Sequence, residues 1–274
     1  MRKLTIFLLA VFLIGSARSQ NIFSALQLNA QRSYKTKRPK KIVHITTSFT
    51  ASGYNVAKDV IVFDNAGMVQ VSESYDANGM LKTKASYTND TVHRIVLASV
   101  FERWMKFAYF KESSVFTYDN NFFLIGVTDK DEIGRVIRQT DIVCNEKGHP
   151  IELSLFDGNG NQKGKETATY SYDKNEAFTS VISNDGKVLS SKTIKISFTE
   201  ASKFPDVNTV YNTNGDLIHW VRKNPDGSET TFEGEYTYDS FGNCTEENIF
   251  KVTVKKNGKR KREIYMVSVK EYTY

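Results

Sequence analysis

The side chains most able to do chemistry in this 274-residue sequence are four histidines, two cysteines, two tryptophans and 31 acids. His44, His93, His149 and His219 are dispersed, with no His-x-His or His-x-x-x-His pair. A zinc site needs three or four converging ligands, so this spacing points to no metal. Asp157-Gly158-Asn159-Gly160-Asn161 mimics the start of a calcium loop. Gln162 and Ala168, however, stand where such a loop needs Gly and a bidentate Glu. There is no Gly-x-Ser-x-Gly elbow and no Walker or dinucleotide Gly-rich loop, and therefore no expected cofactor. Paired carboxylates for glycosidic cleavage cannot be singled out of the acids without geometry. Cys144 and Cys244 are far apart in sequence; an oxidising compartment permits a bridge between them, and two buried thiols are the other reading.

Binding chemistry is better represented than catalytic chemistry. In His219-Trp220-Val221-Arg222 a strand would place Trp220 and Arg222 on one face, and Arg103-Trp104 repeats the pairing of types. Such a surface could stack a sugar; the plainer alternative is a packed tryptophan beside a paired arginine. The basic run Lys255, Lys256, Lys259, Arg260, Lys261, Arg262 brackets Asn257-Gly258. It reads as a solvated hairpin tip that discourages edge pairing, or as a contact for phosphate or acidic polysaccharide.

The elements that must carry these residues are strands. From Ile42 onward, segments rich in Val, Ile, Tyr, Phe and Thr alternate with Gly-containing turns. Phe63-Asp64-Asn65-Ala66-Gly67, Tyr75-Asp76-Ala77-Asn78-Gly79, Phe156-Asp157-Gly158-Asn159-Gly160, Tyr211-Asn212-Thr213-Asn214-Gly215 and Tyr238-Asp239-Ser240-Phe241-Gly242 are the clearest. Asn145 to Gly148, Ser183 to Gly186, Pro225-Asp226-Gly227 and Asn257-Gly258 extend the series. Asn-Gly and Asp-Gly suit a type I′ turn. Asp-x-x-Gly suits a type I turn whose Asp caps the turn amides and whose Gly takes the left-handed bulge position. The five glycines Gly67, Gly79, Gly160, Gly215 and Gly242 are expected at positive φ. Residues 92–116 carry a helical stripe (Val92, Ile95, Val96, Val100, Trp104, Phe107), but their β-branched and aromatic content favours strands.

The turn motifs resemble the YD repeats of the RHS family, whose signature is Tyr-Asp-x-x-Gly followed by a polar or basic and then an apolar residue. Tyr75 to Leu81 and Tyr238 to Asn243 match best, Phe63 to Gly67 and Phe156 to Asn161 are Phe variants, and Asp131 to Val136 keeps the later half. The run Tyr236 to Tyr274 is similar to the endings of small secreted RHS-like proteins of Bacteroidota. The resemblance implies antiparallel hairpin architecture. It implies no toxin encapsulation, because this chain is short for a shell.

The N-terminal residues read as an export signal over 1–19: Arg2 and Lys3, an apolar run from Leu4 to Gly15, then Ala17 and Ser19 in the small-x-small arrangement. The run is short of the roughly 20 residues that cross a bilayer. Residues 20–41 read as a leader and basic connector, and 42–274 as the repeat domain. Without the first 19 residues the chain has 34 bases against 31 acids, a balance that gives no case for nucleic acid. The expected fold is all-β, an extended, twisted antiparallel meander of hairpins, rolled or solenoid-like. The expected role is an exported, non-catalytic one in the periplasm, at the cell surface or outside it. It would bind a surface glycan or protein, or serve as an envelope structural element, with no membrane span. Whether any enzymatic activity exists stays open. A glycan-active enzyme with a site built from scattered carboxylates is the alternative, and an outer-membrane β-barrel a weaker one. The final strand argues against the barrel if Ser268, Lys270, Tyr272 and Tyr274 form its outward face.

Overall fold

The computed structural model describes residues 21–30, 39–196, 198, 209–224, 226–254 and 259–274. Apart from one helix, α1 (Ile22–Ala30), the regular elements are strands. In chain order they are β1 (Lys41–Thr50), β2 (Gly53–Phe63), β3 (Val69–Tyr75), β4 (Leu81–Asp90), β5 (Ile95–Met105) and β6 (Ala108–Tyr118). Next come β7 (Leu124–Lys130), β8 (Val136–Cys144), β9 (Pro150–Asp157), β10 (Gln162–Ser171), β11 (Glu176–Ser183) and β12 (Val188–Lys195). The last five are β13 (Thr209–Tyr211), β14 (Leu217–Lys223), β15 (Glu229–Tyr238), β16 (Cys244–Val254) and β17 (Arg260–Thr273). Residues 92–116 are thus turn at 92–94 and then the hairpin β5–β6, strands as their composition indicates.

The strands form one antiparallel meander. Each pairs with its successor from β1 to β12 and again from β13 to β17, and β17 pairs with β1 from Lys41↔Thr273 to Ser48↔Met266. No ladder joins β12 to β13 among the described residues, and the sheet is not closed. Strand parity accounts for this. With β1 and β17 antiparallel, β12 and β13 run the same way, so no tight hairpin can connect them. Laid flat, 17 strands would span about 75 Å at about 4.8 Å each. The chain from Lys195 to Thr209 reaches at most about 50 Å. The sheet must therefore curl until these two strands approach.

Burial identifies the concave face. α1 packs on β7, β9 and β10, seating Ile22 and Ala25 among Leu124, Val127, Ile142, Leu153 and Ala168. Its start is capped by Asn21, whose Oδ1 accepts from Ser24 N, and Glu166 accepts the Ile22 N–H at 2.9 Å. Following register partners around the sheet, the same face carries His44, Ala85, Ser114, Asp129, Thr140, Phe232, Ile249 and Ser268, all buried although most lie away from α1. That face covers itself, as the inside of a curl does. The leader expected over 20–41 is consequently helical and packed over Ile22–Leu26; residues 1–20 and 31–38, with the export signal and most of the basic run, lie outside the described residues.

The turns explain why the sequence meanders. In ten of them the first residue N–H donates to the carbonyl four residues on, and its carbonyl accepts from the N–H three residues on; Asp76 and Asp239 are two examples. The side chain Oδ1 of Asp76 also accepts from Asn78 N and Met80 N, both at 3.0 Å. All five glycines named above lie at φ between 73° and 84°. The residues before them do not: positive φ outside glycine occurs only at Arg94, Phe122 and Asn175 among the described residues. The Asn-Gly and Asp-Gly pairs at 78–79, 185–186, 214–215 and 226–227 are therefore bulged type I turns, not type I′. Asn224 rather than Asp226 opens the last of them. A tenth member, Asp119 to Phe122, has Phe in the glycine position at φ 60°.

Candidate functional site

A polar seam crosses the inner face where the ends of the chain meet. Alternation along β1 points His44 and Thr46 inward, and register sets His44 between Asp59 of β2 and Lys270 of β17. His44 is 3% exposed. Its Nε2 lies 3.1 Å from Thr46 Oγ1, which lies 3.3 Å from Ser268 Oγ. Its Nδ1 is 3.9 Å from Asp59 Oδ2, too long for a hydrogen bond. Asp59 Oδ1 accepts from Ser74 Oγ of β3. Next to Ser268 on β16 stands Glu247. The seam spans β16, β17, β1, β2 and β3.

Burial governs its electrostatics. Removal from water, and then the ammonium of Lys270, hold the His44 imidazole down at about 4, against the weaker upward pull of Asp59. His44 is therefore neutral near pH 7. Burial also raises the Glu247 carboxyl, opposed by the ammonium of Lys270.

Thr46, His44 and Asp59 occur in the order hydroxyl, imidazole, carboxylate that nucleophilic catalysis uses. The geometry does not support that use. The carboxylate does not reach the imidazole, and β1 is laddered on both sides, so its backbone N–H groups are spent on neighbouring strands and offer no oxyanion hole. Its side-chain bonds tie β3 to β2 and β1 to β17, and it carries a proton-sensitive buried group.

A second inner cluster lies on β6, β7 and β8. Asp129, 3% exposed, accepts from Ser114 Oγ at 2.6 Å and from Arg138 Nε at 2.7 Å. Nearby Glu112 is raised by burial, with Arg138 opposing. The Oγ1 of fully buried Thr140, on β8 two residues from Arg138, has no hydrogen-bond partner.

The third arrangement repeats. At one end of the sheet, a strand-end Tyr-x-Tyr reads the turn of the hairpin before it. The Tyr238 hydroxyl accepts from Asn212 Nδ2 and donates to Asp216, the first and fifth residues of that turn. Tyr274 bridges the same two turn positions with the roles exchanged, donating to Asp239 and accepting from Asn243 Nδ2, and Tyr172 accepts from Asn145 Nδ2 and lies 2.9 Å from His149 Nδ1. Two residues earlier, Tyr236, Tyr272 and Tyr170 donate to the carbonyls of Leu217, Cys244 and Pro150, each one residue further along the same turn. The turn residue thus has two tasks, capping its own amides with one atom and gripping the next hairpin with the other.

Of the sequence-nominated residues, Trp220 and Arg222 come together on one Phe232 ring, while Trp104 and the two cysteines stand apart. Trp220 is buried and stacked on Phe232, with centroids 5.3 Å apart, in a cluster with Ile249. The guanidinium of Arg222 lies 5.2 Å from the same Phe232 ring. Trp104 is on the opposite, outer face, against Tyr109. Cys144 and Cys244 are not joined to each other; they stand on β8 and β16, nine strand steps apart around the sheet. Cys144 Sγ lies 3.6 Å from the Leu124 carbonyl, and Cys244 Sγ 3.3 Å from that of Glu246. Ser268, Lys270 and Tyr272 point inward, which corrects the reading of that face as the outward one. Sequence reasoning passed over the seam; its signal was a polar residue at every second place in His44-x-Thr46-x-Ser48 and Ser268-x-Lys270. No three His, Cys, Asp or Glu side chains converge on a metal position among the described residues.

No protein-family model matches this chain, and no curated protein matches it. Among solved structures it is similar to a porin-like protein from Bacteroides uniformis, at 14% identity over 88% of this chain and 99% of that one, with a TM-score of 0.46. A likeness of that size carries no argument about function.

Proposed function

We propose that this is an exported, non-catalytic protein of the cell envelope, a curled hairpin sheet that serves as a structural or binding element. The observation that carries the reading is where the polar chemistry goes. Asp59 with Ser74, Thr46 with Ser268, then Asp129 with Ser114 and Arg138, and the repeated tyrosine grips all bond between strands or from a strand end to a neighbouring turn. Chemistry spent on registering strands is chemistry for holding a shape. The N-terminal Arg2-Lys3, apolar run and Ala17-x-Ser19 support export. The recurring grip, with Tyr and Asp paired for a reason, supports kinship with the YD-repeat proteins.

The outer-membrane barrel is the second reading, favoured by the return of β17 to β1. Against it, one row of directly opposed outward residues runs Glu271, Val43, Val60, Glu73, Lys84, Glu102, Lys111. Charges of alternating sign pair well in water across strands. A lysine near the bilayer midplane costs about 2–4 kcal/mol. No described helix is long and apolar enough to cross a membrane, which leaves strands as the question.

The test is fractionation of cells making the native chain, with the mature N-terminus read by mass spectrometry. Cleavage near Gln20 and release from envelope fractions by alkaline carbonate are expected. An uncleaved chain in the cytoplasm would end the export reading. Resistance to carbonate with heat-modifiable gel mobility would put the barrel in its place.

A further inference from the structure

Among the described residues α1 is the one regular element that belongs to no ladder. The strands beneath it, β7 to β10, are each paired on both sides, and α1 takes no part in those pairings. Ile22 and Ala25 press on an apolar floor that includes Val127, Ile142 and Leu153, and Leu26 presses on Ala177 and Ile196. The helix has nine residues. Isolated helices shorter than about 12–15 residues are marginal in water, so α1 is helical because it is seated. Its seat rests on three buried side chains and the bonds at its start, and its departure breaks no strand pair. An element held in this way opens locally, at a smaller cost than unfolding the sheet.

The start of the helix is held by a group that titrates. Glu166 of β10 accepts the Ile22 N–H at 2.9 Å, which sets a carboxylate at the positive end of the helix dipole. From β12, Lys192 acts on Glu166 and places its Nζ 5.6 Å from the Phe23 ring. The register partners of Glu166, Leu153 on β9 and Val181 on β11, are apolar, and α1 carries no charged side chain. Tyr170 faces Glu166 from its own strand, and His149 lies 5.4 Å from the Tyr170 ring. Burial raises the Glu166 carboxyl, against the pull of the Ile22 N–H and Lys192. With α1 away the carboxyl meets water and returns to its ordinary range. The seated state therefore holds the proton more tightly. Its advantage is complete below the ordinary carboxylate range and is lost as pH rises through the raised value.

We infer that α1 is a latched cover, which leaves the inner face while the sheet stays folded and seats more firmly in acid, with Glu166 as the latch. Its departure uncovers the apolar floor, so the inner face alternates between a covered and an open surface. The inference is independent of the export reading and of any partner.

The experiment is hydrogen–deuterium exchange of the purified protein, read by mass spectrometry at pH 5 and pH 7.5 and corrected for intrinsic rates. Urea is added in steps below the unfolding transition. Amides of α1 should be less protected than those of β7 to β10. Their protection should also depend less on urea, because opening exposes little surface. Ile22→Ala should lower protection in α1 about tenfold or more and leave the strands unchanged. Protection of α1 should be greater at pH 5 than at pH 7.5 in the wild type. It should be equal at both in Glu166→Gln, which keeps an acceptor for the Ile22 N–H. Loss of protection in α1 and the strands together, with one urea dependence, would overturn the cover. A pH response that survives Glu166→Gln, as one arising at His149 would, overturns the latch.

Discussion

His44→Gln should flatten the acid limb of this protein's stability curve. The buried imidazole is held at about 4 against an ordinary value of 6.5, chiefly by burial and then by Lys270. Between those two values the unfolded chain binds a proton at His44 and the folded chain does not, so stability rises with pH across the window. Its contribution is complete above about pH 6.5 and is lost progressively as pH falls towards 4. Lowering the imidazole from 6.5 to about 4 corresponds to about 3 kcal/mol. The glutamine amide of the variant keeps a group able to bond Thr46 Oγ1 but has no proton to gain. Asp59, Glu247 and Lys270 face the same position in both proteins and drop out of the comparison. Urea unfolding at intervals from pH 4 to pH 8 measures the effect as wild type minus variant. The difference should change by about 3 kcal/mol across the window in the direction that disfavours the wild type in acid. Parallel curves would refute the assignment of a neutral, buried His44.

Gly160→Ala and Gly148→Ala separate backbone strain from packing. At Gly160, φ 81°, a Cβ meets nothing within 4 Å, so urea unfolding should show a loss of about 1–2 kcal/mol from the left-handed backbone alone. At Gly148 a Cβ would lie 2.3 Å from the Phe123 ring, and the loss should be clearly larger. Asp129→Ala breaks the buried pair with Arg138 and the bond from Ser114, and should cost about 3–5 kcal/mol in thermal or urea unfolding. Tyr238→Phe removes only the hydroxyl shared by Asn212 and Asp216 and should cost about 1–2 kcal/mol, with faster amide exchange in the 212–216 turn than elsewhere.

The fold was legible because its signal is local. Asp76 to Gly79 and Asp239 to Gly242 encode their own turns through one carboxylate and one left-handed glycine, needing no distant partner. The same locality made the turn type readable only in part: Asn-Gly satisfies a type I′ turn as well, and the choice depended on the residue three places before the glycine. Facing was not legible at β17. Alternation separates Ser268 and Lys270 from Val267 and Val269, but a curled sheet with a polar interior inverts the usual assignment of polar residues to the outside. Nor did the sequence reveal α1's docking, because Ile22 and Ala25 pack on strands a hundred residues away. The seam of His44, Asp59 and Lys270 was hidden for the same reason, its members being joined by register across more than 200 positions. The tyrosine grips were half visible: Tyr-Asp recurs in the text, but the partner of each tyrosine is the preceding turn, not its own.

The pairing of β1 with β17 also sets a timetable. Lys41 meets Thr273, so the first strand waits for almost the whole chain before its second neighbour exists. Closing a loop of that length costs about 5 kcal/mol of chain entropy, spent before any of the contacts it permits are made. Contacts so distant in sequence belong to slow folding, and until they form β1 presents an open edge to other molecules. A protein delivered N-terminus first through a membrane would spend that interval beyond the translocon with its hairpins already forming from the near end. Its yield would then depend less on final stability than on what shields β1 while β17 is still to come.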